Sequence, residues 1–413
     1  MQIRAQLATA CFLAAIVAVG NELPVAEPET VGMSTSRLLQ IDAAMARHIE
    51  AGNIQGAVTA IARRGKVVHF KAYGLMDVEA EKEMERDAIF VMMSSTKPVL
   101  GVAAMMAIEE GLIRPNDPVS QYIPEFADMQ VAVLKEPADE DISPFRVDRR
   151  NLPEHRLVPT DTPITIKHLL THTSGLASGG LGSANSPRNE RTTLADLIPK
   201  LGNSILDFQP GSRWVYSGGT GLDVVARIIE IVTETPFNEF LQTRIFDPLH
   251  MTDTHYNLPA AKVPRRVKIS GRDMSRWLNA TTEYFSGSFG LSSTAQDYLH
   301  FEQMLANGGE LFGNRLLGSR SVQWMSSNQV GDLYKGFTQT ARGQGFGYTV
   351  AVMLDPIAAD SRRSVGAFGW GGAFGTRSWT DPAEELVGVL MLQQPHPGAQ
   401  YDFENAVRQA IID

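Results

Sequence analysis

One serine in this 413-residue chain has a lysine three positions later: Ser94, followed by Ser95, Thr96 and Lys97. Side chains three apart on a helix lie on one face. A helix opening here would therefore hold a hydroxyl beside an amine, a pairing that can make a serine nucleophilic. The spacing alone says little, because 26 Ser and 10 Lys give about 0.6 such pairs by chance. The residues that follow say more. Pro98 is tolerated only in the first turn of a helix, which sets the helix start at about Ser94. Val99 to Ile108 is apolar on every side, the pattern of a helix buried all round, and Gly111 fits a left-handed cap. A capping serine followed by a surface lysine fits so apolar a helix poorly.

A serine needs a base. An ordinary lysine, with a pKa of about 10.4, is neutral in only about one molecule in 2,500 at pH 7. Burial and the positive end of a helix both disfavour its ammonium form. Alternatively, Lys97 stays charged and assists another group that takes the proton, and a phenol suits that role. Tyr216 is the candidate, within Pro210-Gly211-Ser212-Arg213-Trp214-Val215-Tyr216-Ser217-Gly218-Gly219. A turn, a short extended run and then glycines would fix the phenol at a corner. On residue type alone, a core tyrosine with a satisfied hydroxyl is the commoner fate. The third element is Trp370-Gly371-Gly372-Ala373. Gly371 and Gly372 leave nothing between backbone and ligand, so a substrate could lie along this edge. Its N–H groups, with that of Ser94, could then stabilise an oxyanion. The plainer reading is a bulge or a tight bend.

Other chemistries fit less well. No serine has glycine at both −2 and +2, which excludes the nucleophile elbow of an ordinary α/β-hydrolase. Nine histidines are scattered through the chain, and His172 in Thr171-His172-Thr173-Ser174-Gly175 is the most tempting base, although a lone histidine is more often structural. None shows His-Glu-x-x-His or His-x-His spacing, and Cys11 is the single cysteine. No metal, no other cofactor and no disulfide are therefore expected. A net charge of −9 without a basic tract argues against nucleic acid as a partner.

These groups need a scaffold. Residues 1–20 carry one basic side chain and then an apolar run, the pattern of a short secretory signal, too short for a comfortable membrane span. Cleavage would place the protein in the periplasm or outside the cell; a docked N-terminal helix of a cytoplasmic protein is the alternative. Ser34 can cap a helix bearing Leu38, Ile41, Met45 and Ile49. Ala57–Ala62 and Val67–Ala72, joined by Arg63-Arg64-Gly65-Lys66, read as a hairpin. Asp117 to Asp161 reads as surface loops, and Ser178 to Ser186 as a mobile rim. Helices are expected over 164–170, 194–201, 221–233, 294–307 and 402–411. Strands are expected over 347–353, 364–368, 376–380 and 386–392. This gives an α/β (α+β) chain in which strands from both termini form an antiparallel sheet flanked by helices. Residues 22–95 and 330–413 would make the sheet domain, and 96–329 a mostly helical domain with active-site loops.

In order and rough spacing, Ser94-x-x-Lys97, Tyr216-Ser217 and Trp370-Gly371-Gly372 resemble the motifs of the serine β-lactamase and penicillin-binding superfamily. The chain is most similar to the family VIII carboxylesterases, which look like class C β-lactamases. The likeness runs from about Leu23 to the end and includes Ile164–Leu176, Pro210–Gly218, Gly287–Phe301 and Asp381-Pro382. It implies that Ser94 is acylated, that Lys97 and Tyr216 form its base system, and that Ala373 N–H joins Ser94 N–H in the oxyanion hole. Trp370-Gly371-Gly372 stands where β-lactamases carry Lys-Thr/Ser-Gly, and Gly218 where they usually have the asparagine of Tyr-x-Asn. Both departures weaken recognition of a charged amide. A small-molecule ester is thus the expected substrate, ahead of a β-lactam, a D-alanyl peptide or acyl transfer. A retired binding or assembly protein would have no need of all three groups. Acyl-chain preference and oligomeric state are not legible in the sequence.

Overall fold

Eight strands of one sheet come from two stretches far apart in the chain. The computed structural model describes residues 21–135, 152–184, 193–269, 281–337 and 341–413; the segment 1–20 lies outside them. The first stretch gives β1 (Gly56–Arg63), β2 (Lys66–Asp77) and β3 (Lys82–Glu83). The second gives β4 (Gln344–Phe346), β5 (Ala351–Met353), β6 (Phe368–Gly371), β7 (Arg377–Asp381) and β8 (Leu386–Met391). Their order is β4-β5-β6-β7-β8-β1-β2-β3, every pair antiparallel. The two stretches meet at β1–β8, from Val58↔Met391 to Arg63↔Leu386. Both strands are buried at every position; β8 is apolar throughout, and β1 is apolar except for Thr59 and Arg63. Arg64 and Gly65, with φ of 52° and 72°, make the tight turn of the first hairpin.

Helices cover both faces. On one lie α1 (Thr35–Glu50) and a C-terminal helix, Pro397–Arg408, with Ile41, Met45, Trp379 and Phe403 between them and the sheet. On the other lie α2 (Thr96–Glu109), α3 (Ile166–Leu170), α4 (Gly221–Thr233) and α5 (Ala295–Ala306). The C-terminal helix is α6. In α2 every residue from Thr96 to Ala107 is buried, as its apolar composition requires, and Gly111 takes the left-handed cap at φ 72°. Ser34, Thr165 and Thr294 cap α1, α3 and α5 with their side-chain oxygens.

Several expectations need correction. Residues 347–353 are not one strand: β4 turns back through Thr349, at φ 68°, into β5. The strand expected over 364–368 begins only at Phe368 and runs on to Gly371, because Gly366 at φ 86° interrupts the extended run. This shift puts Trp370 and Gly371 inside the sheet. The region read as loops contains Gln130–Leu134, paired antiparallel with His155–Pro159 and parallel with Ile205–Leu206. Prolines and charges around these short strands masked them. α6 starts at Pro397 rather than Asp402, since Pro397 takes the first helical position under a His396 cap.

The stretch read as a mobile rim is tied down over its described part, 178–184. The Asp207 carboxylate accepts from the N–H groups of Ser178, Gly180, Gly182 and Ser183 and from the hydroxyls of Ser178 and Ser183. Charge-assisted bonds are about twice as strong as neutral ones. Glycine and serine are needed here to bring six donors to one anion, so composition pointed to mobility where geometry gives order. Asn185 and Ser186, the end of that stretch, lie outside the described residues.

Candidate active site

Ser94 sits half-exposed in a single 3-10 turn, Met93–Ser95, that leads into α2. The turn is held from several directions. Gln393 accepts Val91 N–H at 2.9 Å and donates to Val91 O at 3.2 Å. Thr376 Oγ1, just before β7, donates to Met92 O at 3.2 Å and lies 2.9 Å from Ser95 Oγ. From α5, Tyr298 Oη donates to Ser95 O at 2.7 Å. Met93, immediately before the serine, has φ 47°. A left-handed backbone at a residue with a side chain costs about 1–2 kcal/mol and persists only where its surroundings over-determine it.

Lys97 is fully buried. Its Nζ lies 3.3 Å from Ser94 Oγ, 3.1 Å from Gly218 O and 2.7 Å from Ser288 O. The two carbonyls take two N–H groups, and the third position of the nitrogen faces the serine. In an ammonium that position is an N–H; in an amine it is the lone pair. Ser288 is held in turn by Asp223 of α4, whose Oδ1 accepts Ser288 N–H at 3.0 Å and Ser286 Oγ–H at 2.6 Å. Its Oδ2 accepts from Tyr284 Oη at 2.7 Å. Burial pushes the Asp223 carboxyl up, and the hydroxyls of Ser286 and Tyr284 and the nearby Lys97 charge oppose it.

Tyr216 follows Trp214 and Val215 into this corner, and Lys97 Nζ lies 5.0 Å from its ring centroid. Around the phenol stands an aromatic wall. Its ring is 5.5 Å from that of Trp370 and 4.9 Å from that of Phe337, and Phe337 is itself 5.6 Å from Trp370. Trp214, Tyr334 and Phe346 back the wall. Phe337 is 52% exposed, a large apolar ring at the open edge of the group. His172 lies beneath, completely buried, and burial pushes its imidazole well below the ordinary value. Its Nδ1 accepts Ser217 N–H at 3.3 Å. That side chain has no route to solvent.

The third sequence element lies at the end of β6, where Trp370 pairs with Ser378 and Gly371 with Arg377 of β7. Gly372 leaves the ladder against the nucleophile turn: a Cβ there would lie 2.2 Å from Met92 O and 2.4 Å from Thr376 Oγ1. Only glycine allows this approach. Among the described residues, neither Ser94 N–H nor the exposed Ala373 N–H has a hydrogen-bond partner. The fold thus brings Ser94, Lys97 and Tyr216 to one corner, with Trp370, Gly371, Gly372 and Ala373 along its edge.

Sequence reasoning missed the carbonyl acceptors of Gly218 and Ser288, the anchors Thr376, Gln393 and Asp223, and Phe337. Asp223 left a signal: it is a carboxylate in the first turn of an otherwise apolar helix stretch, Gly221 to Ala226. The carbonyls left none.

A β-lactamase family model matches residues 41–411, and the chain belongs to that family. An uncharacterized protein of Mycobacterium tuberculosis is 32% identical over 381 residues, spanning 87% of this chain and 90% of that protein. Esterase EstB of Burkholderia gladioli is 27% identical over 417 residues, spanning 92% and 96%. Two solved structures share the fold. EstCE1, described as a hydrolase with promiscuous acyltransferase activity, superposes with a TM-score of 0.73 at 23% identity over 92% of this chain and 99% of its own. A family VIII carboxylesterase gives 0.69 at 16% identity over 92% and 99%. No helix among the described residues is long and apolar enough to cross a membrane.

Proposed function

We propose that this protein is a serine carboxylesterase that hydrolyses short- to medium-chain esters through an acyl-enzyme on Ser94. The observation that carries the reading is the contact of a fully buried Lys97 with Ser94 Oγ, fixed by two backbone carbonyls. Tyr216 Oη takes the Ser94 proton as Oγ attacks the ester carbonyl carbon, and Lys97 stabilises the phenol oxygen in its charged form. The Ser94 and Ala373 N–H groups, unpaired among the described residues, receive the oxyanion. Collapse of the tetrahedral intermediate breaks the bond to the alcohol oxygen, which leaves with the proton from Tyr216. Water then attacks the acyl carbon, gives its proton to Tyr216, and Ser94 Oγ recovers that proton as the acid departs.

The surroundings favour a neutral ester. Trp370 stands where a lactam-recognising lysine would be expected, and Trp370, Phe337 and Tyr216 form an aromatic rim. EstB is named an esterase, which supports the same class. The test is Ser94→Ala with p-nitrophenyl butyrate: turnover falls by at least about 10³-fold while the far-UV spectrum is unchanged, and a serine-directed phosphonate no longer labels the chain. Substantial remaining turnover would place the nucleophile elsewhere. A nitrocefin rate above that for p-nitrophenyl esters of any acyl length would make the protein a lactamase.

A further inference from the structure

Tyr216 belongs to no helix or strand; residues 213–218 are irregular, so no ladder fixes the phenol. A group that carries a proton to and from Ser94 needs its oxygen held within a fraction of an ångström. We infer that His172 is the residue that holds it, a positioning role that rests on the reading of Tyr216 as proton carrier. The backbone carbonyl of His172 accepts Val215 N–H at 3.0 Å, and its Nδ1 accepts Ser217 N–H at 3.3 Å. One residue therefore clamps the peptide on both sides of Tyr216. Its ring also packs against the phenol, centroid to centroid at 4.7 Å. Thr173, the next residue, extends the seam by accepting Gly211 N–H at 2.8 Å.

The clamp requires an unusual backbone. His172 has φ 57°, in the left-handed region that residues other than glycine and asparagine seldom adopt. This conformation lets its carbonyl and its ring reach the same short segment. To accept from Ser217, Nδ1 must present a lone pair, so the ring proton is on Nε2. Nε2 is buried with no hydrogen-bond partner among the described residues. A ring whose one N–H meets no acceptor and whose lone pair is already used cannot relay protons. Burial and the Lys97 charge keep it neutral, which preserves the acceptor. His172 is a fixed acceptor rather than a base.

Three variants test this with p-nitrophenyl butyrate. His172→Asn places an amide oxygen two bonds from Cβ, where Nδ1 was, and asparagine tolerates a positive φ. It keeps kcat within about 3-fold of the parent. His172→Phe keeps a ring of similar size without the acceptor, and lowers kcat by about 10–100-fold with KM within about 2-fold. Should that variant not fold, His172→Gln replaces it, because its acceptor lies one bond too far out. The double variant His172→Phe/Tyr216→Phe is no slower than Tyr216→Phe alone, since the clamp acts only through the phenol. Full activity in His172→Phe with loss in His172→Asn would make the residue a packing element and overturn the inference. Equal loss in both, or additive loss in the double variant, would overturn it as well. Parent-like turnover in Tyr216→Phe would instead sink the proton-carrier reading itself, a result separate from any of the His172 outcomes.

Discussion

The two sides of the site are built from different materials. Behind Ser94 and Lys97 the contacts are polar and, apart from the one at exposed Gly218, buried: carbonyls of Gly218 and Ser288, the Asp223 carboxylate, and the hydroxyls of Thr376 and Tyr298. Opposite, around Tyr216 and Trp370, the contacts are ring against ring, and one ring, Phe337, is half in solvent. Hydrogen bonds are directional, so the polar side fixes atoms; ring packing is broad in angle and excludes water without dictating one pose. The polar side therefore suits bond-making, and the aromatic side suits tolerance of different apolar groups.

If this division holds, damage on the two sides should look different. Tyr216→Phe, at the boundary, lowers kcat for p-nitrophenyl butyrate by about 10²–10⁴-fold; near-parent turnover would hand the proton to Lys97. Asp223→Ala leaves Tyr284, Ser286 and Ser288 without their buried acceptor and lets the Ser288 carbonyl drift from Lys97. Leaving a buried hydrogen-bonding group unsatisfied costs about 1–3 kcal/mol. The denaturation midpoint falls accordingly, and kcat drops more than KM rises. A change confined to KM would show that Asp223 does not act on the polar side.

On the aromatic side the effects are smaller and of another kind. Phe337→Ala raises KM for long acyl chains by about 3–10-fold, as the loss of about 1 kcal/mol of apolar contact requires, and leaves kcat for the acetyl ester close to the parent. A uniform fall in kcat across chain lengths would break the division. The last effect falls on stability rather than turnover and concerns a carboxyl bonded to β7. Glu302 of α5 is fully buried, accepts from Ser378 and Thr380, and burial raises it to about 7. Its folded pKa lies above its unfolded one near 4.5, so its stabilising contribution is complete below about pH 4.5 and is lost as pH rises through about 7. Glu302→Gln removes that loss. Thermal melts should show it gaining on the parent between pH 5 and pH 8, by about 1–3 kcal/mol, with ester selectivity unchanged. An equal difference at both pH values would mean that Glu302 does not titrate in this window.

Much of the framework was legible in the sequence. The Ser-x-x-Lys pair, the all-apolar helix behind it, the first hairpin and the capped helices α1 and α5 all follow from local spacing. Errors gathered where a local signal had two meanings. Glycine and serine over 178–184 signalled mobility, yet they supply the donors that Asp207 collects. The closing helix was expected from Asp402, yet α6 opens at Pro397. A structural role for His172 was legible as the commoner one, but that its Nδ1 accepts Ser217 N–H was not, since nothing local links the two residues.

By itself the sequence determined that a serine and a lysine share one helical turn, because that depends on residues three positions apart. It also set the replacement of an expected lysine by Trp370, a matter of residue identity. Tertiary structure alone decided what holds Lys97: carbonyls 121 and 191 residues away. Every residue carries a carbonyl, so no pattern of side chains can announce which two will converge on an amine. That convergence required α2, α4 and the loop before α5 to pack first.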